Sequence, residues 1–140
     1  MALPRLKKNN TITGTIYTDF TASFEKNPIS NDVIVKSDVN AVKESIKNIL
    51  LTDRGSRLLN PYFGCGIRAM LFENKYSPAI NQIVEEEVIS TINNYEPRAV
   101  VESVECISSM DDNIMRIIIY FYVRNVAELQ TTTITMERVR

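Results

Sequence analysis

The side chains able to act as acids, bases or nucleophiles form an incomplete set. No histidine occurs among the 140 residues, which removes Ser-His-Asp and Cys-His nucleophile activation and most zinc sites. Two cysteines, Cys65 and Cys106, lie far apart with no CxxC partner and read as free thiols of a reducing compartment. Gly64-Cys65-Gly66 is the one close glycine pair, and with no strand before it the segment lacks a phosphate-binding signature. A glycosidase needs two carboxylates flanking a sugar cleft. Glu85-Glu86-Glu87 occupies successive helical positions that point in different directions, which suits a solvated face better than a catalytic pair. Glu96 is the best single candidate acid, but nothing in the sequence sets a second carboxylate opposite it, and tryptophan, a common sugar platform, is absent. These residues predict no catalytic, cofactor-binding or metal site.

Charge and hydropathy narrow the partners further. Sixteen Lys+Arg against 17 Asp+Glu leave a formal net charge of −1, which offers no concentrated positive surface for nucleic acid. The longest apolar run, Ile117 to Val123, is too short to span a bilayer. The opening MALPRLKKNN holds no apolar stretch of the kind a signal peptide needs. Cytoplasmic synthesis and assembly are expected.

Two segments stand out. One runs from Leu51-Thr52 through Gly55 and Arg57 to Asn60-Pro61, Phe63, Gly64 and Ile67. The other is Tyr95-Glu96-Pro97-Arg98. Taken singly, Thr52 to Gly55 is a helix stop, Pro61 and Gly64 shape a loop, and Glu96 to Arg98 is a helix-to-strand corner.

The elements that position them follow from periodicity. Ser37 or Asp38 caps a helix whose apolar face is Val39, Val42, Ile46, Ile49 and Leu50, ending near Gly55. Ile67 to Phe72 reads as a short helical turn. Ser77-Pro78 opens a second long helix, with Ile80, Val84, Val88, Ile92 and Tyr95 on one stripe, and Pro97 stops it by biasing Glu96 away from helical geometry. The last third is an antiparallel β-meander. Val100, Val104 and Cys106 are expected on one face of its first strand, and Ser108 to Asn113 at the hairpin tip. Met115, Ile117, Ile119, Phe121 and Val123 fill the core face of the second strand. Gln130 to Glu137 is the third strand, with Thr132, Ile134 and Met136 on one side. The sequence thus predicts an α+β class: two main helices plus a short one packed on a small antiparallel meander, with an extended N-terminal arm. The arm takes residues 1–36 and a single domain takes 37–140. The second face of the middle strand, carrying Tyr120 and Tyr122 with Arg116 and Arg124, is either an interface or the floor under the arm.

In this order and spacing the segments resemble one family, the baseplate wedge proteins of contractile-tailed phages, with relatives in type VI secretion systems. The matching stretches are Leu50-Leu51-Thr52-Asp53-Arg54-Gly55-Ser56-Arg57, Pro61-Tyr62-Phe63-Gly64, Leu71-Phe72-Glu73 and Glu96-Pro97-Arg98. Ser56 departs from the pattern, since the family often has Glu there. The resemblance implies a structural subunit of a contractile injection machine's baseplate, in a phage virion tail or a related machine. It implies sixfold repetition around the axis and contacts with neighbouring wedge proteins, which form a helical bundle, and with the sheath protein. Glu96, Pro97 and Arg98 are the expected bundle contact, with Tyr120 and Tyr122 added from the sheet. The final strand is either a template for a strand donated by the sheath or an ordinary solvated edge. A lysozyme-like glycosidase is the alternative the family name brings with it.

Overall fold

A computed structural model describes residues 17–21, 23–72, 78–109, 114–124 and 126–137. The element order is β1 (Thr18–Phe20), β2 (Val35–Ser37), α1 (Asp38–Leu51), α2 (Ile67–Phe72), α3 (Pro78–Tyr95), β3 (Ala99–Ser109), β4 (Ile114–Val123) and β5 (Leu129–Glu137). The fold is α+β: three helices, a three-stranded antiparallel sheet in the order β3-β4-β5, and a separate two-stranded ribbon, β1-β2.

Helix boundaries follow local chemistry. Ser37 holds an extended conformation as the N-cap of α1, and Thr52 turns extended at its C-cap. Helix α3 ends at Tyr95 because Pro97 follows. Ser77, expected as the cap of α3, lies outside the described residues, as do Glu73 and the tip from Met110 to Asn113.

The core lies between α1, α3 and one face of the sheet. Val42, Ile46 and Leu50 from α1 meet Val84, Val88 and Ile92 from α3, over Ile117, Ile119, Phe121 and Val123 from β4. Alternation along β4 therefore matches the expected faces. In β3 it breaks. The pairing register shifts between Val101 and Ser103, so an extra residue, Glu102, enters the strand. A bulge of this kind inverts which residues face the core. Val100 is accordingly exposed and Val101 packs against the core, while Val104 and Cys106 are buried. Grouping Val100 with Val104 and Cys106 was incorrect for that reason.

Part of the expected N-terminal arm, residues 1–16, lies outside the described residues. From residue 17 the chain runs out and back. Thr18 pairs with Ser37, Asp19 with Lys36 and Phe20 with Val35. A two-stranded ribbon is marginal alone, and this one is tied to α1. Asp38 donates its N–H to the Tyr17 carbonyl at 2.6 Å, its carboxylate accepts the Tyr17 N–H at 3.2 Å, and Lys36 pairs with Glu44 at 3.0 Å.

Candidate docking corner

Among the described residues three polar side chains are buried, Thr21, Thr91 and Glu96, and only Glu96 is charged. Its position follows from the end of α3. Glu96 N–H closes the last helical turn onto the Ile92 carbonyl at 2.8 Å, and Ala99 N–H turns back onto the Glu96 carbonyl at 3.1 Å. Pro97 fixes the step between, and β3 begins at once. The turn folds Arg98 back over Glu96. Nε donates to Oε1 and Nη2 to Oε2, each at 2.6 Å, and the Arg98 backbone N–H adds a third bond at 3.3 Å. This is a bidentate, charge-assisted pair, the strongest common form of such contacts.

Glu96, expected beside Arg98 as a bundle contact, does not project outward. Glu96 is 2 % exposed and points inward, because one residue past the helix its side chain faces α1. Burial pushes its carboxyl up, but hydrogen bonds from Arg98 and Ser45 and the Arg98 charge outweigh that and hold it below the usual carboxylate range. Arg98 is pushed up, chiefly by its bond to Glu96. Its side chain remains 26 % exposed. Glu96 takes the Nε–Nη2 edge, and among the described residues no hydrogen bond from Nη1 is found. The Arg98 guanidinium also lies 5.5 Å from the Tyr17 ring, and its carbonyl receives the Arg124 N–H at 2.9 Å. Tyr17, Ser45, Glu96 and Arg98 thus lock the ribbon, α1, α3 and β3 to one another.

The loop from Thr52 to Gly64 is bolted to the same end of α3. Tyr95 Oη donates to the Tyr62 carbonyl at 2.7 Å, and the Phe63 and Tyr95 rings meet at 4.9 Å. Arg57 stacks on Phe63 at 3.9 Å. Inside the loop, Gly55 N–H bonds the Pro61 carbonyl at 2.8 Å and Cys65 N–H the Thr52 carbonyl at 2.9 Å. Gly64 is required by two facts: φ is +108°, and a Cβ would sit 2.3 Å from the Thr52 oxygen. Ser56, the departure from the family pattern, bonds its Oγ to the Asp53 carbonyl at 2.7 Å. Thr52, Gly55, Arg57, Pro61, Phe63 and Gly64 are thus brought together with the corner. Tyr120 and Tyr122 are not: they are half-buried on the open sheet face, where Tyr122 pairs with Val100 and Leu129.

Sequence reasoning missed Tyr17, Ser45 and Tyr95 as supports, and it missed the inward uses of the Glu-rich segment. Glu85 accepts the Cys106 N–H at 2.9 Å, and Glu87 pairs with Arg54 at 2.5 Å. An open concavity of about 300 Å³ beside that pair is lined by Asp53, Arg54, Cys65, Gly66, Arg68 and Ala69. Its one carboxylate, Asp53, is paired with Arg68 at 3.2 Å. The lining of this concavity therefore does not set two acids across a cleft.

Fold and site together define a small α+β domain built around a braced helix-to-strand corner. Residues 36–128 match the family model described as Baseplate wedge protein gp25, and the chain belongs to that family. It is 35 % identical over 94 residues to the Baseplate wedge protein gp25 of Enterobacteria phage T4, covering 67 % of this chain and 70 % of the relative. Among solved structures it is similar to a Geobacter sulfurreducens protein named as a candidate tail lysozyme. The two are 27 % identical with a TM-score of 0.69, over 77 % of this chain and 97 % of that one. It also shares its fold with a chain of the anti-feeding prophage baseplate, at 18 % identity and TM-score 0.61, over 85 % of this chain and 83 % of that one. The protein is a structural component of the baseplate of contractile injection machines and assembles with other baseplate components.

Proposed function

We propose that the chain docks through Arg98 onto a helical bundle formed by neighbouring wedge proteins. In this reading residues 37–140 act as one wedge domain and residues 1–36 as its arm. The observation that carries it is the half-open guanidinium. Glu96 holds Arg98 in one geometry, so the remaining N–H groups face a partner carboxylate or helix-end carbonyls with little rotamer entropy left to lose. Six copies per baseplate, assembly in a host bacterial cytoplasm and residence in a virion tail are part of the same proposal, and rest on the family resemblance. Arg98→Lys tests it, because lysine keeps the charge and loses the fork. The variant is expected to fold and to co-purify poorly with its wedge partners; wild-type recovery would overturn the role.

The sheath contact is proposed at β5. The outer edge of β3 is blunted, since Glu85 takes the Cys106 N–H and Asn81 receives the Ser108 hydroxyl at 3.0 Å. β5 lies at the other edge of the sheet, which favours it for strand addition. A proline scan along Thr131–Thr135 probes this at positions whose N–H points away from β4. Normal folding with loss of sheath growth is expected there, and unimpaired growth at every such position would sink the idea.

The lysozyme-like alternative draws on one neighbour's name. Against it stands Glu96, inaccessible and committed to Arg98. No clearing of purified peptidoglycan is expected in a turbidity assay, whereas clearing lost in Glu96→Gln would establish the enzyme.

A further inference from the structure

The loop carries a feature that the corner does not use. Leu58 and Leu59 are 98 % and 102 % exposed, and Tyr62 is 81 % exposed. A lone exposed leucine needs no explanation. Two adjacent leucines with a tyrosine three residues on, in a loop tied down at both ends, put three large side chains into solvent as an apolar knob. The loop is rigid for reasons already given: the Gly55–Pro61 and Cys65–Thr52 backbone bonds, the Tyr62–Tyr95 bond and the Arg57–Phe63–Tyr95 stack. Phe63 N–H adds a bond to the Asn60 carbonyl at 3.1 Å.

We infer that the Leu58-Leu59-Tyr62 tip is a docking knob that inserts into an apolar groove with an acidic rim on a neighbouring baseplate subunit. The inference rests on the reading of the chain as a wedge docking protein and adds a second contact to it. Shape and charge select the occupant. A convex tip held by cross-bonds fits a preformed groove, such as the seam between packed helices, with little ordering left to do. Arg57 stands immediately beside Leu58 with its guanidinium on the Phe63 ring, and among the described residues no carboxylate forms an ion pair with it. Arg54 is paired with Glu87 and Arg68 with Asp53, which leaves Arg57 as the unpaired charge beside the knob, and an acidic rim is what complements it. The knob is also continuous with the Arg98 corner, because Tyr95, which holds Tyr62, directly precedes Glu96.

The test compares wild type, L58S/L59S and Arg98→Lys for binding to the purified subcomplex of the other wedge proteins from the same baseplate. L58S/L59S is expected to keep its melting temperature within about 2 °C, as fully exposed positions do. It is expected to lose at least tenfold in affinity, about 1.4 kcal/mol. Hydroxyl-radical footprinting supplies a measurement free of mutation, in which Tyr62 becomes protected in the complex. Binding by L58S/L59S within twofold of wild type, or an unprotected Tyr62, overturns the knob. If Arg98→Lys weakens binding in the same experiment, the corner survives that outcome. A wild-type chain that does not bind the subcomplex overturns both readings. An isolated wild-type chain that sediments as a dimer, and as a monomer in L58S/L59S, assigns the knob to a second copy and overturns the choice of partner.

Discussion

Arg98→Ala should destabilise the isolated domain as well as its assembly. The substitution removes a bidentate partner from a carboxylate that is 2 % exposed. Stranding one member of a fully buried pair costs about 3–5 kcal/mol. Here Arg98 is 26 % exposed, so some water already reaches the pair, and Glu96 keeps its bonds to Ser45 and to the backbone N–H at residue 98. A loss of roughly 2–3 kcal/mol is therefore expected, or about 6–12 °C in melting temperature at this chain length. Thermal unfolding followed by circular dichroism at pH 7 measures it.

The same experiment in acid separates the pair from general damage. The folded-state pKa of Glu96 is depressed, so the stability it contributes is present above the unfolded carboxyl value, about 4.3. That stability is lost as pH falls through the lower folded value. The gap between wild type and Arg98→Ala should accordingly be full at pH 7 and shrink steadily below about pH 4. A melting temperature within about 1 °C of wild type at pH 7, or a gap independent of pH, would refute the reasoning. One practical consequence is that an assembly defect in Arg98→Ala mixes lost docking with lost stability, which is why lysine is the better probe of docking.

Three further outcomes follow from the same geometry. Exchanging the charges, E96R/R98E, should not restore the pair, because the longer guanidinium cannot fit where Glu96 is buried; a double variant as stable as wild type by thermal melt would contradict this. Gly64→Ala should cost at least about 3 kcal/mol, combining a left-handed φ with a clash against the Thr52 carbonyl, whereas Gly55→Ala, at φ +83° in open space, should cost only about 1–2 kcal/mol; equal urea midpoints for the two would show that strain and contact are not additive here. Cys65 and Cys106 should resist iodoacetamide at pH 8 in the folded protein and react in urea. Burial raises both thiols, Cys65 despite its Thr91 hydrogen bond, and Cys106 to about 11 with the Glu85 charge adding to burial; rapid native-state labelling by mass spectrometry would count against that.

Much of the fold was readable because its elements obey simple periods. The stripe Val84, Val88, Ile92 and the alternation Ile117, Ile119, Phe121 each repeat without interruption, and both are buried as the pattern requires. β3 failed where a period fails: one inserted residue at Glu102 moved Val100 to solvent, and no composition signal announces a bulge. The Glu-rich segment misled for a different reason. Glu85, Glu86 and Glu87 point three ways, and the sequence does not say which direction is solvent. Only Glu86 faces out, whereas Glu85 satisfies a β3 amide and Glu87 an arginine from the loop. Leu58 and Leu59 had a signal that periodicity arguments pass over, namely adjacent leucines inside a segment bounded by Gly55 and Pro61, where no element exists to bury them.

The corner also explains why all three of its residues are needed in their order. Pro97 ends α3 and fixes the turn, which leaves Glu96 on the last helical bond with its side chain toward Ser45. Arg98 is then the first residue able to reach back across the turn, and its N–H joins the same carboxylate. Glutamate one position earlier would still be helical, and arginine one position later would be Ala99, which is buried in the sheet. What looks in the sequence like two charges available to a partner is therefore one charge spent inward to aim the other. The rigidity lies in the pair, and the docking proposed above would use the part of Arg98 that Glu96 leaves unbonded. Substitutions at Glu96 should reach a partner only through the arginine they release.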